Sequence, residues 1–83
     1  MNENELKIVR ILRHYQVGNG ESDTALSDRI AKETKLSCMT VFNLLRGNYP
    51  KRPHKKTFNE LGCWIDKNRE KINKVVKESM GAA

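Results

Sequence analysis

An all-α bundle of four to five helices is the fold this sequence predicts. Three observations carry that reading. Apolar residues recur at three- and four-residue steps through most of the chain, the period of a helix with one buried face. No segment alternates apolar and polar residues as a half-buried strand would. Residues that start and stop helices fall between the periodic segments, where a bundle needs its turns.

The elements follow in order. Asn2 to Val17 reads as an amphipathic helix: Leu6, Val9, Leu12 and Tyr15 form its stripe, Ile8 and Ile11 widen it, and Lys7, Arg10 and Arg13 lie beside it. Gly18-Asn19-Gly20 ends this helix with residues that tolerate left-handed backbone. Glu21-Ser22-Asp23-Thr24 offers several N-caps for a second helix, which runs to about Glu33 with Leu26 and Ile30 facing inward. Thr34-Lys35-Leu36 makes a turn, and Ser37 caps a third helix that ends at Gly47. Leu36 before the cap and Val41 within the helix match a hydrophobic staple. Asn48 to Lys56, NYPKRPHKK, reads as a loop because it holds two prolines and clustered charge. Thr57-Phe58-Asn59-Glu60 reads as a capping box that starts the next helix. Phe58, Leu61, Ile65, Ile72, Val75 and Val76 continue the helical spacing, as one long helix or as two parted near Asp66 to Arg69.

Composition narrows the function classes. With 83 residues the chain makes one domain, residues 1–83, with a thin core. Sixteen Lys and Arg against 10 Asp and Glu leave a net charge of +6, which suits a polyanionic partner. Cys38, Cys63, His14 and His54 lack metal-ligand spacing, so no metal or cofactor is expected, and the two cysteines read as small buried or half-buried side chains and not as a disulfide. Neither a secretory signal nor an apolar span of membrane length is expected, and a cytoplasmic location is the default. Paired carboxylates, a nucleophile–base constellation and a Gly-rich phosphate loop are all missing from the sequence, so it reads as no enzyme, with no small-molecule substrate.

The segment from Ser27 to Arg46 has the pattern of a helix-turn-helix. Ala31 gives room for a close helix contact, Leu36 plugs the angle, and Val41, Leu44 and Leu45 face inward. Many such motifs hold Gly where this chain has Lys35, because left-handed backbone is common there. On the second helix Met39, Phe42, Asn43 and Arg46 share the opposite face. In this motif that face meets base edges in the major groove. Asn pairs bidentately with adenine and Arg with guanine, while Met39, or Cys38 beside it, suits a thymine methyl. Arg46, in the last turn, suits phosphate as well as base. Phe42 suits either DNA contact or packing against Phe58 or Trp64. Ser37 and Thr40 sit where phosphates flank the groove, though Ser37 also has its capping role. The basic residues Lys51, Arg52, Lys55 and Lys56 follow directly and form a candidate phosphate clamp, with Tyr49 among them either bonding phosphate or covering the core.

Ser37 to Gly47, S-x-x-T-V-x-x-L-L-R-G, resembles the lambda-repressor-like helix-turn-helix superfamily. The likeness extends from about Leu6 to Ile65 and includes the proline-basic loop and the helix after it. It implies a helical bundle that binds a palindromic operator in double-stranded DNA as a homodimer and regulates transcription, as a phage or plasmid repressor does. Two other readings are open: a DNA-binding module of a packaging or replication machine, and an antitoxin-like interaction bundle. The last segment, 68–83, is the candidate dimerisation segment, with Ile72, Val75, Val76 and Met80 as its apolar stripe. The alternative is that this stripe folds back onto Leu6, Val9 and Leu12 of the same chain.

Overall fold

The computed structural model describes residues 2–49, 51 and 54–81, with side chains to residue 78. Arg52 and the side chain of Met80 therefore lie outside the described residues. Five helices follow in order: α1 Glu3–Gly18, α2 Asp23–Glu33, α3 Cys38–Leu45, α4 Lys55–Lys67 and α5 Arg69–Gly81. There is no strand among the described residues. The radius of gyration, 12.2 Å, is close to the roughly 12 Å expected of a folded domain this long.

Local chemistry sets most of the helix ends. Asn2 and Glu5 form a reciprocal capping box at α1, each side chain accepting from the other's backbone N–H at 2.9 Å. The end of α1 is a Schellman turn: Gly20 N–H donates to Val17 O and Glu21 N–H to Gln16 O, with Gly20 at φ +66°. Ser22 caps α2 by accepting from Ala25 N–H at 3.1 Å, and Ser37 caps α3 by accepting from Thr40 N–H at 3.1 Å. A second Schellman turn closes α3, through Gly47 N–H to Leu44 O and Asn48 N–H to Asn43 O, with Gly47 at φ +85°.

Two expectations are corrected. The helix assigned to the Thr57 capping box starts earlier, at Lys55, after His54. Thr57 lies inside the first turn and its N–H donates to His54 O at 3.0 Å, so its hydroxyl is not the cap. Lys55 and Lys56 are thus helical residues and not loop residues. The second correction concerns Lys35, because no non-Gly described residue has positive φ. Thr34 makes the α2–α3 turn instead, in extended backbone (φ −128°, ψ −177°). Its hydroxyl donates to Ile30 O at 2.8 Å and accepts from Leu36 N–H at 3.2 Å. A side-chain hydroxyl replaces the left-handed residue and the turn carries no backbone strain.

One core joins all five helices. It comprises Val9, Leu12 and Tyr15 of α1, Leu26 and Ile30 of α2, Val41, Leu44 and Leu45 of α3, Phe58, Leu61 and Trp64 of α4, and Ile72 of α5. The α4–α5 break falls at Asn68, whose side-chain amide donates to Trp64 O at 2.8 Å and whose carbonyl accepts from Ile72 N–H. The break lets α5 return along α1. Ile72 is only 2 % exposed, and Val75 and Val76 are half-buried against the core. The stripe given to a dimer interface is therefore covered in large part by its own chain, and Ile72 is corrected from interface to core.

Arg29 ties the elements together in a way that the sequence spacing did not indicate. Its guanidinium donates to Tyr15 Oη at 2.7 Å and pairs with Glu21 at 2.8 Å. It also lies 5.4 Å from the Tyr15 ring centroid and 6.0 Å from that of Trp64. One side chain of α2 thereby holds α1, the α1–α2 joint and α4.

Candidate nucleic-acid interface

The short α3 is positioned from one side. Val41, Leu44 and Leu45 are buried, and α2 packs closely along it. Between the two helices sits Ser27, fully buried, with its hydroxyl bonded back to Asp23 O and Thr24 O. The predicted small contact residue, Ala31, is only half-buried, whereas Ser27 is fully buried and lies 3.8 Å from the Cys38 thiol of α3. A small side chain with a hydroxyl that satisfies itself locally can enter such a contact without an unpaired polar group.

The candidate base-reading residues do not form one uniform face. Met39 is 65 % exposed and Arg46 is exposed, as an outward face requires. Phe42 is half-buried, and the Arg46 guanidinium lies 5.4 Å from its ring centroid. Such a stack is worth about 0.5–1 kcal/mol at an exposed site and preorders the arginine. Asn43 is half-buried at the mouth of a cleft between α3 and the start of α4, which it shares with Thr40, Asn48, His54 and Thr57 above the apolar floor of Leu44 and Phe58. Cys38 turns toward α2: its thiol donates to Asp28 Oδ1 at 2.8 Å and lies 3.8 Å from Ser27 Oγ. That engagement corrects its placement beside Met39 on the outward face.

The flanking residues cluster next to this helix. Ser37 is exposed and its hydroxyl lies 2.7 Å from that of Thr40, which leaves both at the N-terminal edge of α3. Tyr49 is 42 % exposed, and Lys51, Lys55 and Lys56 are all exposed. At the first turn of α4 no side chain caps the helix, and the first turn holds no acidic residue. Two lysines at the positive end of a helix dipole repel it, and an anion placed there relieves the repulsion.

The thiols are both free. Cys63 is exposed on α4, contrary to the expectation of a covered side chain. The hydrogen bond to the Asp28 carboxylate pushes the Cys38 thiol above its ordinary pKa, since that bond favours the protonated form. Replacing the carboxylate by a neutral amide removes its charge and weakens the bond that favours the thiol, which lowers the pKa and raises the thiolate fraction near pH 8. In a Cys63→Ser background, Asp28→Asn is expected to speed alkylation of Cys38 by iodoacetamide at pH 8; an equal or slower rate would reject the assignment.

Among the described residues there is no cluster of three or more His, Cys, Asp or Glu able to hold a metal, and no helix is long and apolar enough to cross a membrane. Comparison with protein-family models, with curated proteins and with solved structures gives no match.

Proposed function

We propose that this chain binds double-stranded DNA in a sequence-specific manner and regulates transcription, most simply as a repressor working in the cytoplasm. The observation that carries the reading is the setting of α3. Its apolar side is anchored on α2 and the core, its other side presents Met39 and Arg46 with Asn43 at the edge, and the cationic start of α4 lies beside it. An α-helix held in this way fits the major groove, where Asn and Arg discriminate bases. In this proposal the exposed Lys51, Lys55 and Lys56 neutralise phosphates along the groove edge, and the lambda-repressor-like resemblance of Ser37 to Gly47 supports the same docking.

Selection from a random pool of duplex DNA tests the proposal. Enrichment of a defined sequence is expected, and recovery of an unbiased pool would reject sequence reading. On the selected duplex, Lys55→Gln/Lys56→Gln should make the salt dependence shallower by about two units, at about 0.9 per phosphate contact, and should do so equally on unrelated duplexes.

A homodimer on a palindromic operator remains part of the proposal, because one short helix reads too few base pairs for a genome. Among the described residues, the burial of Ile72 reduces the apolar surface of that stripe to the edges of Val75 and Val76, bordered by Ile11 and Ile65. This burial also favours a second reading, a monomeric DNA-binding module that serves another machine. Sedimentation of the protein on its selected duplex separates the two: two chains per duplex support the repressor-like dimer, one chain the module.

A further inference from the structure

Two stretches of the chain contain no Asp or Glu, residues 6–20 and residues 34–59. They carry nine of the 16 Lys and Arg residues. The second stretch holds α3 and the start of α4; the first is most of α1. The fold brings them together at Tyr49, which closes a concavity whose other wall is α1, with Leu6, Arg10, Arg13 and Val17.

On α1 the residues Lys7, Arg10 and Arg13 are exposed, at three-residue steps, with His14 exposed beside them. The two ion pairs among the described residues, Arg29–Glu21 and Arg69–Asp66, use none of them. Like charges at this spacing destabilise a helix. Glu3 lies four positions before Lys7, with no ion pair between them among the described residues, but Arg10 and Arg13 have no acidic residue three or four positions away. An ordinary solvated helix face mixes both signs of charge. A cationic face that shares a concavity, at Tyr49, with a second acid-free segment matches a polyanion instead.

We infer that α1 is a second backbone-binding element, in which Arg10, Arg13 and Lys7, with Tyr49 between them and α3, contact the phosphodiester backbone of the duplex that α3 reads. The dimensions agree. Lys7 to Arg13 spans about 9 Å along the helix axis. Over that distance one strand of B-DNA presents two to three phosphates, at about 3.4 Å per charge. The exposed phenol of Tyr49 adds a hydrogen-bond donor at the joint. This inference rests on the DNA-binding reading and extends its footprint beyond α3 and α4.

The test compares Arg10→Gln/Arg13→Gln with Lys55→Gln/Lys56→Gln and the unaltered protein, on the selected duplex and on an unrelated duplex of equal length. Glutamine keeps the helix propensity of arginine, and both positions are exposed, so the fold is retained; circular dichroism melting verifies this. The α1 variant is expected to lower the salt slope by about two units on both duplexes, so that the affinity lost between 50 and 200 mM salt shrinks about tenfold. An unchanged slope for the α1 variant, with a shallower one for the α4 variant, overturns the inference and leaves the DNA reading standing. A loss confined to the selected duplex overturns it too, since backbone contacts do not distinguish sequences. Absence of DNA binding by the unaltered protein overturns both.

Discussion

Trp64→Ala is expected to remove about 3–5 kcal/mol of folding stability, the cost of truncating a large buried aromatic side chain. Trp64 is 3 % exposed and sits where α1, α2 and α4 meet. Its ring centroid lies 6.1 Å from that of Tyr15 at an interplanar angle of 60°, and the Arg29 guanidinium lies 6.0 Å away. A domain of 83 residues has a total stability of only about 4–12 kcal/mol. The variant is therefore expected to lose a large share of its folded population, read by urea unfolding followed by circular dichroism. Trp64→Phe supplies the contrast. The indole Nε1 is buried with no hydrogen-bond partner among the described residues, so its loss removes no bond and relieves an unpaired donor. A cost of about 1–2 kcal/mol is expected for it. Equal costs for the two variants would show that the ring makes no use of its packing against Tyr15 and Arg29.

Asn43→Ala is expected to weaken binding to the selected DNA sequence by about 1–3 kcal/mol and to relax preference at one base position, with little change on unrelated duplexes. The side chain is half-buried in the cleft and has no side-chain hydrogen bond among the described residues. Its amide is thus unengaged by the chain and able to meet a base edge without breaking an internal bond. Titration of selected and scrambled duplexes decides the matter. Equal losses on both would assign Asn43 to the backbone, and no loss on either would leave base reading to Met39 and Arg46.

Much of the fold was legible in the sequence because much of it is local. Ser22, Ser37, Gly20 and Gly47 each act on partners three to five residues away, so the ends of α1, α2 and α3 are decided within the segments themselves. The capping box of Asn2 and Glu5 is local as well, although the apolar stripe of the sequence places Asn2 inside that helix and not as its cap. Thr57 and Glu60 show the limit of such patterns. The same signature is present there, yet the helix begins at Lys55, because a capping motif offers hydrogen bonds without forbidding the chain to start earlier. The candidate site divides in the same way. The exposure of Met39 and Arg46 follows from helical period, whereas the turn of Cys38 toward Asp28 and the seating of Asn43 against the start of α4 do not.

What the sequence determined by itself was the order of the helices, the apolar stripes along them and the concentration of cationic residues around α3, while it left open whether the last segment is one helix or two. Periodicity states that a face will be covered; it does not state by what. Only the tertiary structure decided that Ile72 is covered by its own chain, after the Asn68 break turns α5 back along α1. Only the tertiary structure placed Arg29 between Tyr15, Glu21 and Trp64, and set the α1 cations beside Tyr49. Those contacts join residues far apart in the chain, and their geometry depends on how five helices share one small core, a property that no single segment encodes.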